Sequence, residues 1–376
     1  MWLKRKPKAV LGIDFGAGGI KLTQLRSVNG RESLHTYGFC ERPPEEVGID
    51  YLENPDAAGA LLKLICAKAK TTTINAVAAL PIPSVFSAVL SLAAVSRQEL
   101  PQAVEWEAKK LIPLPLSEIV LDFKVLKAEE PPAVSRPGEA VGISAASEKG
   151  EKTAERNMAK AKEIAILLTA APRSIIDKYL AIAKIAGITL ASLETEAFAI
   201  IRAVVGADMT PAIVVDIGAV RSNIIFVDRG IPILTRSVEI GGKKCSEAIA
   251  TALAVSLQQA ETLKRDLGVH PLPGTSAGGL SPIMKDTLDP LINELRYSFT
   301  VYKSRGAVAR PPERIILIGG GAGLPGLAEM LTAEFNLRAF LGNPWDRVNF
   351  QADLQPLLNS FGSRFAVAVG LALRNL

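Results

Sequence analysis

The sequence predicts an α/β protein made of two duplicated lobes that face each other across a cleft, and three glycine-rich stretches carry that prediction. Val10 to Leu22 is an apolar strand that runs into Asp14, then a glycine-dense turn, then a second strand. Ile213 to Ala219 repeats the order of strand, Asp216, apolar residue, Gly218 and small residue, and a further strand follows from Asn223 to Val227. Gly319 to Gly321 is the third stretch, between a strand at Arg314 to Ile318 and a helix. Glycines let backbone N–H groups turn toward an anion without interference from a Cβ. One such hairpin is equally a plain tight turn; the second copy is what argues for duplication.

The remaining elements follow in order. After the first hairpin, Ser33 to Cys40 continues as a third antiparallel strand, and a helix runs from Ala57 to Lys70 with Asp56 placed to cap it. Asn75 to Leu80 is a core strand. From Val85 the pattern is strand, helix Arg97 to Lys110, the run Leu111 to Leu116, and a strand from Ile119 to Leu126. Ala128 to Lys162, rich in Pro, Gly, Ser, Glu and Lys, reads as a mobile surface loop. Strand Ile164 to Thr169 and helix Arg173 to Ala186 resume the α/β rhythm, followed by a short strand at Leu190 to Leu193 and a helix from Glu194 to Val205. The second lobe adds a strand at Pro232 to Val238 and helices at Gly242 to Leu253 and Ser256 to Leu267. Val269 to Ser281 reads as a flexible Pro/Gly-rich loop. Helix Lys285 to Ser304, helix Pro325 to Phe335, strand Asn336 to Leu341 and a terminal helix over Ser360 to Leu373 complete the chain. The Gly319 to Gly321 turn at a helix N-terminus suits an anion or sugar hydroxyls. It is not a Rossmann fingerprint, because its glycines are contiguous and no early βαβ unit with a following acidic residue surrounds them.

Composition bounds the partners. With 376 residues, 48% hydrophobic and 22% charged, the chain has material for two sizeable cores. A net charge of +5 is too small to argue for nucleic acid. The basic cluster Lys4-Arg5-Lys6-Pro7-Lys8 reads as a solvated N-terminus, with acidic lipid headgroups as the alternative. Cys40, Cys66 and Cys245 are widely spaced, which supports neither a disulfide framework nor a zinc site and fits a reducing cytoplasm. His35 and His270 stand near no nucleophile motif, so the sequence offers no argument for a histidine triad. The N-terminus lacks the apolar core of a signal peptide. Thr71 to Ser96 is uncharged and long enough to span a bilayer, but Pro81 and Pro83 would break such a helix, and the flanking alternation suits two buried strands.

With the glycine turns in view, the chain resembles the actin, Hsp70 and FtsA superfamily of ATPases, and within it the PilM family of type IV pilus assembly. The similarity runs nearly end to end, the two loops excepted. It is carried by Lys6 to Asp14, Glu105 to Leu116, the Glu194 to Arg202 helix, Ile318 to Gly326 and the closing Gly370 to Arg374. The Trp-Glu-Ala and Ile-Pro-Leu-Pro run inside Glu105 to Leu116 is the most family-restricted part. The resemblance implies an actin-like ATPase fold of two ribonuclease-H-like lobes with an FtsA-type inserted small subdomain. Its divisions would be 1–84 and 191–210 for the first lobe (1A-like), 85–190 for the inserted subdomain (1C-like), and 211–376 for the second lobe (2A/2B-like).

The site follows from the same resemblance. The first phosphate loop would be Asp14, Gly16, Ala17, Gly18 and Lys21, and the second Asp216, Gly218, Ala219, Val220, Arg221 and Ser222. The two aspartates would hold Mg²⁺ largely through its waters, while amides and Lys21 offset the charge of ATP. Gly319, Gly320 and Gly321 would face the adenosine, with Glu261, Lys264 and Arg265 matching the Glu-x-x-Lys-Arg that Hsp70-like members present to ribose and adenine. Their i, i+3, i+4 spacing also fits a surface ion-pair helix. Glu196 corresponds to an acid that orients metal-bound water, with Glu194 as the alternative. Ala17 replaces a usual Ser, and Val220-Arg221-Ser222 replaces smaller residues, so the expectation is an ATP-binding switch that is at most a slow ATPase.

By resemblance the protein is a cytoplasmic scaffold, peripheral at the inner membrane. It would dock the N-terminal tail of a bitopic PilN-like partner, meet other pilus assembly proteins and possess scope for self-association. Trp106, Ile112, Leu114 and Leu116 supply apolar surface for that tail, although the same spacing fits a core. The alternatives are a small-molecule kinase of the superfamily, for which no Asp stands out as a base, and an FtsA-like filament-forming divisome protein, whose membrane-targeting helix has no counterpart after the last core helix.

Overall fold

A computed structural model describes residues 8–93, 95–96, 98–126, 163–270, 280–304 and 310–376. The basic cluster before Lys8, the expected loop 128–162 and most of loop 269–281 lie outside the described residues. The chain divides into a larger unit, Met1–Ser84 with Ile175–Lys303 and Arg310–Leu376, and a smaller one, Val85–Ser174 with Ser304–Ala309. Helix Arg173 to Ala186, placed by the sequence inside the 85–190 insertion, is therefore mostly part of the larger unit.

The larger unit begins with β1 (Ala9–Gly16), β2 (Gly19–Val28) and β3 (Arg31–Glu41), then α1 (Pro55–Lys68) and β4 (Asn75–Leu80). The smaller unit follows with β5 (Phe86–Ala93), α2 (Leu100–Leu111), β6 (Ile119–Val125) and β7 (Glu163–Pro172). The larger unit resumes with α3 (Arg173–Ala186), β8 (Thr189–Thr195) and α4 (Glu196–Val204). Next come β9 (Ala212–Ile217), β10 (Ser222–Asp228), β11 (Ile231–Val238), α5 (Gly242–Leu253), α6 (Leu257–Leu267) and α7 (Leu280–Lys303). The chain closes with β12 (Arg314–Ile318), α8 (Leu327–Phe335), β13 (Arg338–Leu341), α9 (Gln355–Phe361) and α10 (Ala366–Ala372).

Duplication is plain in the strand order. One five-stranded sheet runs β3-β2-β1-β4-β8 and the other β11-β10-β9-β12-β13. In each, three antiparallel strands form a meander, and two more lie parallel to the first strand. The central parallel strands are continuous apolar runs, as strands covered on both faces must be; Ile213 to Val215 and Ile315 to Ile318 are buried.

Between the sheets lie α4 and α10, the helices that join the lobes. Ala197, Ala199, Ile200, Ala366, Val367 and Leu371 share one core with Val10 and Val77 of the first sheet and Val214 and Ile316 of the second. Small residues let the two helices cross closely: a Cβ on Gly370 would run into the Ala199 carbonyl oxygen. Arg202 seals the crossing by donating to Gly370 O at 2.6 Å and to Glu194 at 2.6 Å.

The smaller unit is an antiparallel sheet, β5-β7-β6, covered by α2. Its core gathers Leu92, Leu100, Val104, Ala108, Ile112, Ile119, Ile166 and Leu168. The uncharged Thr71 to Ser96 stretch forms β4 and β5, and no helix among the described residues is long and apolar enough to cross a membrane.

Local endings differ from expectation for identifiable reasons. Asn54, not Asp56, caps α1: its Oδ1 accepts from Ala57 N at 3.0 Å. Pro55 fits the first helical position, where its missing N–H costs nothing, so the helix starts earlier and Asp56 falls in the first turn. Glu194 ends in β8 rather than in the following helix. The expected terminal helix is broken at Gly362–Phe365 by a single tight turn between α9 and α10.

Candidate functional site

Each lobe presents the same hairpin. Gly16 pairs with Gly19 so that Ala17 and Gly18 form the turn of the first, and Asp14 lies directly opposite Lys21, whose Nζ is 3.3 Å from Asp14 Oδ2. In the second lobe Asp216 lies opposite Asn223, whose Nδ2 donates to Asp216 Oδ2 at 3.2 Å. Asn223 is thus the positional counterpart of Lys21, and the sequence reading missed it. The signal was available, since both residues follow their aspartate by seven positions.

Both hairpins open into one cavity of about 880 Å³, which Asp14, Lys21, Glu196, Asp216, Arg221, Glu261 and Gly319 help to line. This is within the size range of small-ligand sites. The turns approach closely, for a Cβ on Gly18 would stand 3.0 Å from that of Ala219. The amides of Ala17, Gly18, Ala219, Val220 and Gly320 donate to no backbone carbonyl among the described residues. Gly16, Gly218 and Gly321 also line the cavity, although Gly321 N is committed to Ile217 O at 2.8 Å and Gly319 N to Ser363 O at 3.0 Å. Gly319 has φ +88°, and a Cβ there would meet Asp216 Oδ1 at 2.5 Å, so only glycine lets this turn close over the aspartate.

Acids and bases are crowded together in the cavity. Burial pushes the Asp216 carboxyl up to about 6, with Asp14 adding to the rise and Asn223, Lys21 and Arg221 opposing it. Glu196, at the start of α4, is pushed up to about 8 by burial and by the neighbouring charges of Asp216 and Asp14. Its Oε2 accepts from Ile82 N at 3.0 Å, which fixes the side chain. Three acids therefore share a space with Lys21 and Arg221. Among the described residues no group of three or more His, Cys, Asp or Glu is arranged to hold a metal ion by itself. Glu194, by contrast, is consumed by Arg202 at 2.6 Å and Arg374 at 3.2 Å; it braces the helix crossing and does not line the cavity.

On the far wall, α6 starts from a capping box made by Ser256 and Gln259. It presents Glu261, Lys264 and Arg265. Lys264 Nζ is 2.5 Å from Glu261 Oε2 and donates to Ser246 Oγ at 2.9 Å and Gly242 O at 3.0 Å. Its ammonium is buried and fully occupied, so it holds Glu261 in place and ties α6 to α5. Burial alone would raise the Glu261 carboxyl, yet Lys264, Ser246 and Arg265 hold it below the usual range. Arg265 Nε reaches Glu261 Oε1 at 2.9 Å from an exposed position.

One expected ligand residue turns away. Ser222 is fully buried in β10, and its hydroxyl donates to Ile240 O at 2.7 Å. Alternation along the strand sends Asn223 to the cavity and Ser222 to the opposite face. Lys243, Ser246 and Arg364 also line the cavity and were not anticipated. The contiguous Gly241 and Gly242 at the start of α5 were the available signal for the first two; Arg364 arrives through the break before α10, which has no sequence signature.

In the smaller unit, Trp106 is 63% exposed and Leu114 43% exposed. Leu116 is half-buried against the core, and Ile112 is a core residue, enclosed by Leu100, Val104 and Ala108. The Ile-Pro-Leu-Pro run thus turns Ile112 inward, and only Trp106 and Leu114 of the four present large apolar surface to solvent.

The family described as type IV pilus assembly protein PilM matches residues 12–151 and 151–376. Among solved structures the chain is similar to one of a PilM-PilN type IV pilus biogenesis complex, at 26% identity and TM-score 0.75, covering 97% of this chain and 98% of that one. It is also similar to the ethanolamine utilization protein EutJ from Carboxydothermus hydrogenoformans, at 15% identity and TM-score 0.51, covering 98% of this chain and 90% of that one. The fold is the two-lobe actin-like ATPase fold.

Proposed function

Because this chain belongs to the PilM family of type IV pilus assembly proteins, we propose that it is a nucleotide-binding scaffold of pilus assembly. In this reading the cleft of the larger unit holds Mg·ATP. The smaller unit is the inserted subdomain, and it offers Trp106 and Leu114 to the N-terminal tail of a PilN-like inner-membrane protein. The protein works from the cytoplasm, peripheral at that membrane. The observation that carries the nucleotide part is the shared cavity, with Asp14 and Asp216 in one space bordered by five amides from three turns that donate to no backbone carbonyl among the described residues.

The residues present fit such a ligand. The amides of Ala17, Gly18, Ala219 and Val220, with Lys21 and Arg221, would receive phosphate oxygens. Asp14 and Asp216 would hold Mg²⁺ with water and phosphate completing its shell, as that ion prefers. The magnesium supplies charge neutralisation for the phosphates and for the acid cluster. Gly320 and Glu261 would meet the nucleoside. Support for the partner comes from the similar solved structure, a complex of PilM with PilN.

Binding of Mg·ATP is measured with a fluorescent analogue. Lys21→Ala and Asp216→Ala each lose a charge-assisted contact, and affinity falls about tenfold or more. Unchanged affinity in both variants overturns the nucleotide site. A synthetic PilN-type tail retained by the wild-type protein tests the scaffold part, and failure of the tail to bind at any nucleotide state removes it.

A further inference from the structure

Backbone carbonyls, not side chains, decide where the free amides of the two hairpins point. In a trans peptide the C=O and the following N–H point in opposite directions, so tying down one carbonyl aims the next amide. Gly48 N donates to Ala17 O at 3.1 Å and Arg42 N donates to Gly18 O at 3.0 Å. The segment from Arg42 to Gly48 is therefore a strap fastened at both ends to the outside of the first turn, and it aims the Gly18 amide inward. In the second lobe the start of α5 does the same work: Gly242 N donates to Gly218 O at 3.0 Å and Lys243 N to Ala219 O at 2.8 Å. These bonds aim the Ala219 and Val220 amides.

Lys243 joins the two systems. Its backbone holds Ala219, and its Nζ donates to Val47 O at 2.8 Å, on the strap. A chain of hydrogen bonds and one peptide link thus runs Ala219 O, Lys243, Val47, Gly48, Ala17 O, from one glycine turn to the other, by way of Lys243 and Val47, which line the cavity. Val220 Cγ2 packs close to the same place, 3.3 Å from where a Cβ on Gly48 would lie. Pro44 and Val47 line the cavity beneath.

We infer that Lys243 is a positioning residue that buckles the Arg42–Gly48 strap across the two lobes and sets how fast a nucleoside triphosphate leaves the cleft. This rests on the nucleotide reading above and deepens it. With the buckle closed, both turns hold their amides toward the phosphates and the phosphate end is covered. Opening the buckle frees the strap and lets the lobes part, which speeds departure far more than it slows arrival.

The test is displacement of a fluorescent ATP analogue by excess unlabelled Mg·ATP in a stopped-flow instrument. Lys243→Met keeps the backbone N–H and an unbranched side chain one atom shorter while removing the ammonium; its dissociation rate rises about tenfold, with association changed less than about twofold. Lys243→Arg retains a donor and stays near wild type. Amide hydrogen exchange on the unmodified protein supplies a second readout, in which Mg·ATP slows exchange at Arg42 and Gly48. A wild-type protein that binds no nucleotide refutes the nucleotide reading itself. A wild type that binds, with a Lys243→Met dissociation rate within about twofold of it, refutes the buckle alone. So does a loss of affinity carried wholly by association, which marks Lys243 as a charge that attracts phosphate, or unaltered exchange at Arg42 and Gly48.

Discussion

The acid pair Glu196 and Asp216 makes stability depend on pH in a direction opposite to that of ordinary paired carboxylates. The perturbation is Glu196→Gln, which keeps the shape and the acceptor for Ile82 N but cannot ionise. In the unfolded chain Glu196 loses its proton near 4.5, and in the folded protein near 8. Between those values the folded state binds more protons than the unfolded state, so stability falls as pH rises through the window. At pH 7 the penalty is 1.36 kcal/mol for each pH unit above 4.5, about 3 kcal/mol. Glu196→Gln escapes it and melts roughly 3–6 °C higher than wild type at that pH, at about 1–2 °C per kcal/mol for a chain of this size. Near pH 4.5 the two proteins melt together. Asp216 contributes a second fall between 3.8 and about 6 in both proteins, so the difference between the curves isolates Glu196. Differential scanning fluorimetry from pH 4.5 to 8.5, without nucleotide or divalent cation, measures it. Wild-type and Glu196→Gln curves that stay parallel across that range refute the burial argument.

Three further outcomes follow from the contacts. Ser222→Ala strands the Ile240 carbonyl and costs about 1 kcal/mol in urea denaturation, while Mg·ATP affinity is unchanged; a large affinity loss would return Ser222 to the phosphate loop. Lys264→Met removes the buried ammonium from Glu261, which keeps the Ser246 hydroxyl at 2.7 Å and Arg265 at 2.9 Å, and destabilises by about 1–2 kcal/mol, again by urea denaturation, with Glu261→Gln in the same background restoring part of the loss. Trp106→Ala with Leu114→Ala shifts the melting temperature by no more than about 1 °C, because both side chains are exposed, yet lowers the affinity for a PilN-type tail at least tenfold by calorimetry.

What was legible in the sequence was whatever local spacing determines. A strand ending in Asp, a glycine turn and a returning strand fix a hairpin without reference to the rest of the chain, and Asp14 and Asp216 were found that way. The Glu261, Lys264, Arg265 face was legible from helical spacing, but its meaning was not. The hydroxyl of Ser246 that occupies Lys264 comes from the preceding helix, and no local pattern announces it. Ser222 was misassigned because a loop was extended one residue into a strand, where alternation reverses the facing of the side chain. Ile112 was misassigned for the related reason that, in a run where apolar residues and prolines alternate, nothing local says which side the core lies on. Strap contacts such as Lys243 to Val47 join positions 196 residues apart, a distance that only the folded chain closes.

The same electrostatics bear on turnover in the proposed reading. A carboxyl that accepts a proton from an attacking water must first be ionised, and with its pKa near 8 Glu196 holds its proton at neutral pH. One of its oxygens is already engaged by Ile82 N. Positive charge brought beside Asp14 and Asp216 would lower that pKa and favour Glu196 as a base. The first turn offers Ala17 where a hydroxyl would give a further donor to phosphate, and Arg221 adds fixed positive charge at the second. These features favour holding a charged ligand over processing it quickly.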